Sequence, residues 1–194
     1  LWIQDLHGLF GIHALRPLLG IPLTLVIIVL IINSINLIDG IDGLASGLCI
    51  MGTVGYSVVF FHRDMNIYML LAAAIIGLLV VFYLYNTLGK PGVIKTFMGD
   101  TGSLALGGFV AACAYMMQLP LFILIVGFIY LVEVVSVMMQ VSYFKLTHGK
   151  RLFKMSPLHH HFEMCGWSEN KIVLVFSAVT LVGGIGAILL QYFG

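Results

Sequence analysis

Apolar runs of near-membrane length, separated by short polar stretches, are the strongest pattern in this chain. A helix needs roughly 20 largely apolar residues to cross the hydrocarbon of a bilayer. Six stretches reach or approach that length, at 21–38, 44–61, 67–85, 103–117, 121–144 and 172–193. The fourth is short and has to draw on its flanks. Residues 1–20, with Trp2, Phe10 and Arg16, suit an interfacial segment. The pattern predicts an all-α polytopic membrane bundle, with residues 1–194 forming one membrane-embedded unit. Glycines inside the runs (Gly52, Gly55, Gly77, Gly107, Gly108, Gly183, Gly184, Gly186) suit close helix approach in lipid. Gly183-Gly184-Ile185-Gly186 accordingly reads as packing and not as a nucleotide fingerprint.

Composition agrees: 61% of residues are hydrophobic, only 9% are charged, and the mean hydropathy is +1.11. A soluble domain carries about a quarter charged residues. The nine Lys/Arg and eight Asp/Glu nearly cancel, so their placement says more than their sum. Six alternating spans put the loops 39–43, 86–102 and 145–171 on one side. That side holds Lys90, Lys95, Lys145, Lys150, Arg151, Lys154 and Lys171, whereas the other holds Arg16 and Arg63. Cytoplasmic loops are enriched in Lys and Arg, so the first side is expected to be cytoplasmic. Asp39, Asp42, Asp100, Glu163, Glu169 and three consecutive histidines fall on the same side. Cys49, Cys113 and Cys165 are too widely spaced for a disulfide framework or a zinc motif. The chain begins at Leu1, not Met, and is read as a piece of a longer protein.

Three polar constellations carry the chemistry. The first is Asn33-Ser34-Ile35-Asn36-Leu37-Ile38-Asp39-Gly40-Ile41-Asp42-Gly43. Asn33, Asn36 and Asp39 recur every three residues and share one stripe of a helix. Gly40 and Gly43 let the backbone turn or approach a ligand. Amides and carboxylates are the hard oxygen donors that Mg²⁺ prefers, held by one or two carboxylates plus substrate phosphates. The plainer alternative is a helix ending in Asp-Gly turns.

The second constellation, Phe97-Met98-Gly99-Asp100-Thr101-Gly102-Ser103, precedes the fourth run. Asp100, Thr101 and Ser103 could cap that helix. The same arrangement offers backbone N–H groups to a phosphate, with Asp100 placed to hold a bridging metal. No GxxxxGK[ST] loop is present, so ATP use is unsupported. The third is His159-His160-His161 within the basic loop 145–171. Neighbours in an extended chain point to opposite sides, so the three are not expected to share a metal, and no HExxH zinc motif exists. Histidines beside Lys150, Arg151 and Lys154 suit contacts to anionic oxygens or proton transfer near neutral pH. A solvated basic loop drawn to anionic lipid is the alternative. Glu133 lies inside the fifth run, where an ionisable group is a functional candidate by default. It could equally be a structural partner of Gln140 or of a polar group on another helix.

With these residues in view, the chain resembles the polyprenyl-phosphate N-acetylhexosamine-1-phosphate transferases. The resemblance rests on Asn33–Gly43, Phe97–Gly108, Glu133–Lys145, Pro157–Glu163 and Gly166-Trp167. Pro157-Leu158-His159-His160-His161-Phe162-Glu163 is specific to the family's muramoyl-pentapeptide branch. It implies a ten-helix fold, of which this chain would be the last six helices. It implies Mg²⁺-dependent transfer of phospho-N-acetylmuramoyl-pentapeptide from a UDP carrier to undecaprenyl phosphate, giving lipid I and UMP for peptidoglycan synthesis. Asp100 matches the family's metal ligand, with Asn36 a second candidate. Asp39 and Asp42 match acidic residues of the nucleotide site, with Asp42 near the uracil. Asn86 and Phe97 match the uridine pocket, Asn33, Gly40 and Gly99 join the substrate-binding set, and His159, His160 and His161 match residues needed for activity.

Two features depart from the pattern. The family's adjacent Asp-Asp pair, from an earlier cytoplasmic loop, is absent. The piece alone is therefore expected to be inactive. The Asn33–Gly43 motif and the Asn86–Phe97 connection look closer to the GlcNAc-1-phosphate branch, which makes UDP-GlcNAc the alternative donor. A more distant alternative is an ion-coupled transporter using Asp39, Glu133 and the histidines as a relay. A homodimer is left open, and no pattern points to nucleic acid.

Overall fold

The computed structural model describes residues 2–6, 14–90, 94–117 and 125–193, with side chains to residue 189. Phe10, the 118–120 turn and the start of the fifth apolar run lie outside the described residues. Among the described residues the regular elements are seven helices: α1 (Pro17–Ile38), α2 (Leu44–His62), α3 (Asn66–Thr87), α4 (Gly99–Met117), α5 (Phe128–Leu146), α6 (Leu158–Met164) and α7 (Glu169–Phe193). All of α1, α2, α3, α5 and α7 are long and apolar enough to cross a membrane. The fold is thus an all-α polytopic membrane bundle. α4 has the same 19 residues as α2, but its first turn is Gly99-Asp100-Thr101-Gly102, which lowers its hydropathy and leaves it outside that set.

α2 is the central helix, with α3, α7, α4 and α1 packed on it. Its faces supply Leu44, Leu48, Cys49, Val59 and Phe60 to a core completed by Ile35, Ile38, Met117 and Ile172. α1 packs mainly on α4 and α5 instead of on α2, its neighbour in the chain. α3 is peripheral and exposes Ile67, Leu70, Leu71 and Leu78. In water such a face would be costly, but against lipid tails or further apolar helices it is not.

Lipid removes the hydrophobic drive between helices, so their contact relies on close approach. Gly107 supplies this between α4 and α1: a Cβ there would lie 2.7 Å from the Cα of Ile32. Gly183 sits similarly against the backbone of Ile125. Gly77, Gly108, Gly184 and Gly186 do not, since among the described residues a Cβ on any of them would meet nothing within 4 Å. For those four the packing expectation is corrected.

Two further expectations change. The histidine triplet sits on the short helix α6 and not in an extended loop, so successive side chains are a helical step apart. Glu133 is not deep relative to the polar turns. Ser34 Oγ of α1 donates to the Tyr130 carbonyl of α5. Glu133 and Asp39 each lie about one helical turn beyond that bond, on the same side of it. α5 is therefore offset along the bundle, and its last turns, with Met138, Met139, Phe144 and Leu146, are exposed.

Candidate active site

The end of α1, the start of α4 and the segment leading into it meet at one end of the bundle. Asn36 Nδ2 donates to Asp100 Oδ1 at 3.2 Å and to Ser103 Oγ at 2.9 Å. Ser103 is held in turn by the carbonyls of Gly99 and Asp100. Asp100 therefore does not cap α4 from outside; it occupies the first turn and is exposed. Gly99 has φ +64°, which brings the chain sharply into the helix.

Asp39 is the half-buried carboxylate of this group. Burial pushes its pKa up to about 6, and the negative charges of Asp100 and Asp42 add to the rise, while a backbone hydrogen bond from Gly99 opposes it. The α1 stripe is only partly used. Asn36 and Asp39 join the cluster, whereas Asn33 is exposed and donates to the Val29 carbonyl of its own helix.

Asp42 is fixed on the other side of the turn. It forms an ion pair with Lys95 and a 3.4 Å contact with Asn86 Nδ2. Asn86 is buried and fully engaged: Oδ1 accepts from the Gly43 N–H at 2.6 Å, and Nδ2 also donates to the Thr96 carbonyl at 2.9 Å. It ties the end of α3 to both polar segments. Phe97 is 72% exposed, with the Lys95 ammonium 5.3 Å from its ring centre. Lys95 was counted in the sequence only as a loop charge. The signal available was that it is one of two cations close in the chain to Asp100.

The histidine helix closes the group. A Cβ on Gly40 would lie 3.0 Å from His159 Nε2 and 3.1 Å from His160 Nε2, so α6 rests directly against the Asp39-Gly40 turn. The rings of His159 and His160 are 4.2 Å apart. His160 Nδ1 pairs with Glu163 at 2.5 Å, and His159 Nδ1 with Glu133 at 3.2 Å. His161 turns elsewhere: its Nδ1 accepts from the Lys154 N–H, and its Nε2 faces Cys165 Sγ at 3.8 Å. The even choice over Glu133 resolves onto α6, while Gln140 binds the backbone of Leu152 and Phe153.

Among the described residues no three His, Cys, Asp or Glu side chains converge closely enough to enclose a metal ion by themselves. The donors present are nonetheless those that suit Mg²⁺. They are oxygen groups of Asp39, Asp100 and Asn36, and the charge of Asp100 acts on Asp39, adding to the rise that burial mainly causes.

A helical membrane bundle that gathers carboxylates and histidines at one end defines the class: an integral membrane protein with a polar site at the bilayer border. Residues 1–118 match the family model "Glycosyl transferase family 4", and the chain belongs to that family. It is 49% identical over 142 residues to a phospho-N-acetylmuramoyl-pentapeptide-transferase of Clostridium botulinum, covering 72% of this chain and 41% of that protein. The enzyme of the same name from Carboxydothermus hydrogenoformans is 62% identical over 111 residues, covering 57% and 33%. That of Enterococcus hirae is 47% identical over 139 residues, covering 72% and 42%. The matched part of the chain thus spans between 33% and 42% of the length of these relatives.

Proposed function

We propose that this chain carries the nucleotide-sugar and metal side of a phosphoglycosyl transferase. The enzyme would move phospho-N-acetylmuramoyl-pentapeptide from UDP to undecaprenyl phosphate at the cytoplasmic face of the inner membrane. The observation that carries the proposal is the meeting of Asp39, Asp42 and Asp100 against His159 and His160. The relatives, all phospho-N-acetylmuramoyl-pentapeptide-transferases by name, favour the muramoyl-pentapeptide donor over UDP-GlcNAc.

Both substrates are anionic, and phosphoryl transfer is catalysed mainly by positioning and charge neutralisation. In the proposed reaction an oxygen of the lipid phosphate attacks the sugar-bearing phosphorus. The bridging P–O bond breaks, UMP leaves with its electron pair, and the lipid-linked product is lipid I. Mg²⁺, when held by Asp100 and Asp39 with Asn36 beside them, would offset diphosphate charge and improve UMP as a leaving group. Asp42, steadied by Lys95 and Asn86, would accept from the uracil, and exposed Phe97 would stack on it. Asn86 has its polar atoms committed, so its contribution is to shape this pocket. Lys150, Arg151 and Lys154 lie in the loop that leads to α6, where they would draw both substrates to the border.

A transporter relay is less well supported, because Glu133 is taken up in holding α6 and lies level with the polar turns. The test is transfer by the full-length protein to undecaprenyl phosphate with UDP-MurNAc-pentapeptide and UDP-GlcNAc offered side by side. Asp100→Asn is expected to abolish Mg²⁺-dependent turnover with folding intact. Near-normal activity in that variant would overturn the metal assignment, and preference for UDP-GlcNAc the donor.

A further inference from the structure

Glu133 and His159 are both fully buried, and the reaction as proposed gives neither enclosure a reason. Three N–H groups converge on the Glu133 carboxylate: the Leu158 backbone at 2.8 Å, the His159 backbone at 3.1 Å and the His159 ring Nδ1 at 3.2 Å. The first two belong to the opening turn of α6, so one carboxylate both anchors the helix and holds its first histidine. Two backbone N–H groups already donate to this carboxylate, which marks it as the acceptor toward the ring as well; Nδ1 then carries a proton, and in the neutral imidazole Nε2 keeps its lone pair. That Nε2 is buried with no hydrogen-bond partner among the described groups. It points at the Asp39-Gly40 turn, where the absence of a Cβ on Gly40 is what leaves room for it. Buried polar atoms are ordinarily paired, and one left open beside a polar cluster is available to a ligand.

We propose that Glu133 is a positioning residue: it locks His159 in the Nδ1-protonated tautomer and aims the bare Nε2 across Gly40 to accept from an O–H of the bound substrates. His161 is the contrast within the same helix. Its Nδ1 is the acceptor, of the Lys154 N–H, so its proton sits on Nε2 and faces Cys165. The first and third histidines of one motif are thus held in opposite tautomers by different partners, and of these two His159 is the one turned to the Asp39-Gly40 turn. The inference deepens the transferase reading and rests on it for its kinetic half alone.

The first measurement needs no reaction. ¹⁵N-histidine spectra of the full-length protein in lipid nanodiscs, with the His159 signals assigned by difference against His159→Asn, report which ring nitrogen is protonated. The expected result is the Nδ1-protonated form, converting to the Nε2-protonated form in Glu133→Gln, whose amide can donate to Nδ1. An Nε2-protonated His159 in the unaltered protein overturns the proposal, whether or not the variant folds. The second measurement is kinetic. Glu133→Gln is expected to lower kcat by about 10–100-fold, the range typical of outer partners that orient a reactive histidine. Glu133→Asp, which keeps the carboxylate, recovers part of the loss. A KM increase confined to the nucleotide sugar or to the lipid assigns the O–H to that substrate. Unchanged kcat in Glu133→Gln overturns the proposal. Absence of any sugar-phosphate transfer by the unaltered protein overturns the functional reading instead, and leaves the tautomer result to stand by itself.

Discussion

At the scale of single residues, Asp39 is where the fold most visibly disturbs a side chain. Its folded pKa of about 6 stands above the unfolded value of about 3.9, so the folded state binds the proton more tightly. The stability that this preference contributes is fully present below about pH 4 and is lost as pH rises through about 6. The thermal midpoint of the metal-free protein is therefore expected to fall between about pH 4 and pH 6 and to level off above that. The effect is worth about 1 kcal/mol once the half-exposed carboxylate is discounted for solvent screening. Asp39→Asn should flatten that dependence, and saturating Mg²⁺ should flatten it in the unaltered protein by favouring the ionised form. An identical slope in Asp39→Asn would assign the effect to other groups. The sequence identified Asp39, Asp42 and Asp100 as acidic residues on one side of the membrane. It could not say that Asp42 is the one balanced by a cation, because Lys95 lies 53 residues away in the chain.

At the scale of elements, the helices were legible and the histidine helix was not. Apolar length alone marked the long runs, since a segment that must satisfy every backbone group within lipid has little choice but helix. α6 has only seven residues and follows a proline. The groups that cap its first N–H donors are the oxygens of Glu133, 25 and 26 residues earlier. No local pattern can announce a helix whose cap comes from another element. This arrangement separates two glycine substitutions in the turn it rests on. At Gly43, φ is +79° and a Cβ would come within 2.5 Å of Thr87 Cγ2. Gly43→Ala is thus expected to cost about 2 kcal/mol in detergent unfolding, through left-handed strain and displacement of α3. At Gly40 the obstacles are the tips of His159 and His160. Gly40→Ala should leave unfolding within about 0.5 kcal/mol, typical of an exposed site, yet lower turnover more than tenfold by pushing those rings off the Asp39 turn. Loss of stability without loss of turnover at Gly40 would place the histidines outside the site.

For the whole molecule, the question is which side of the bilayer this end of the bundle faces. Sorting the charges gave one side seven Lys/Arg and the other two, and the fold puts the acidic turn, the start of α4 and α6 together at the lysine-rich end. Packing shows which groups share an end and charge says which way that end is expected to face, so the cytoplasmic orientation rests on the charges and is open to test. Hydropathy could not place Glu133, because it counts position along a segment and cannot register that α5 is shifted along its neighbours. The cysteines provide the test. Cys165 is exposed at the end of α6, whereas Cys49 and Cys113 are buried. A thiolate is the reactive form, and a buried thiol in apolar surroundings is slow to form one. A membrane-impermeant maleimide is therefore expected to label Cys165 in inverted vesicles and not in intact cells, with Cys165→Ser removing the signal from this chain. Labelling of Cys165 from outside intact cells would put the carboxylates and histidines on the outer face. A cytoplasmic UDP-sugar could not reach them there, and the transferase proposal would fall with the topology.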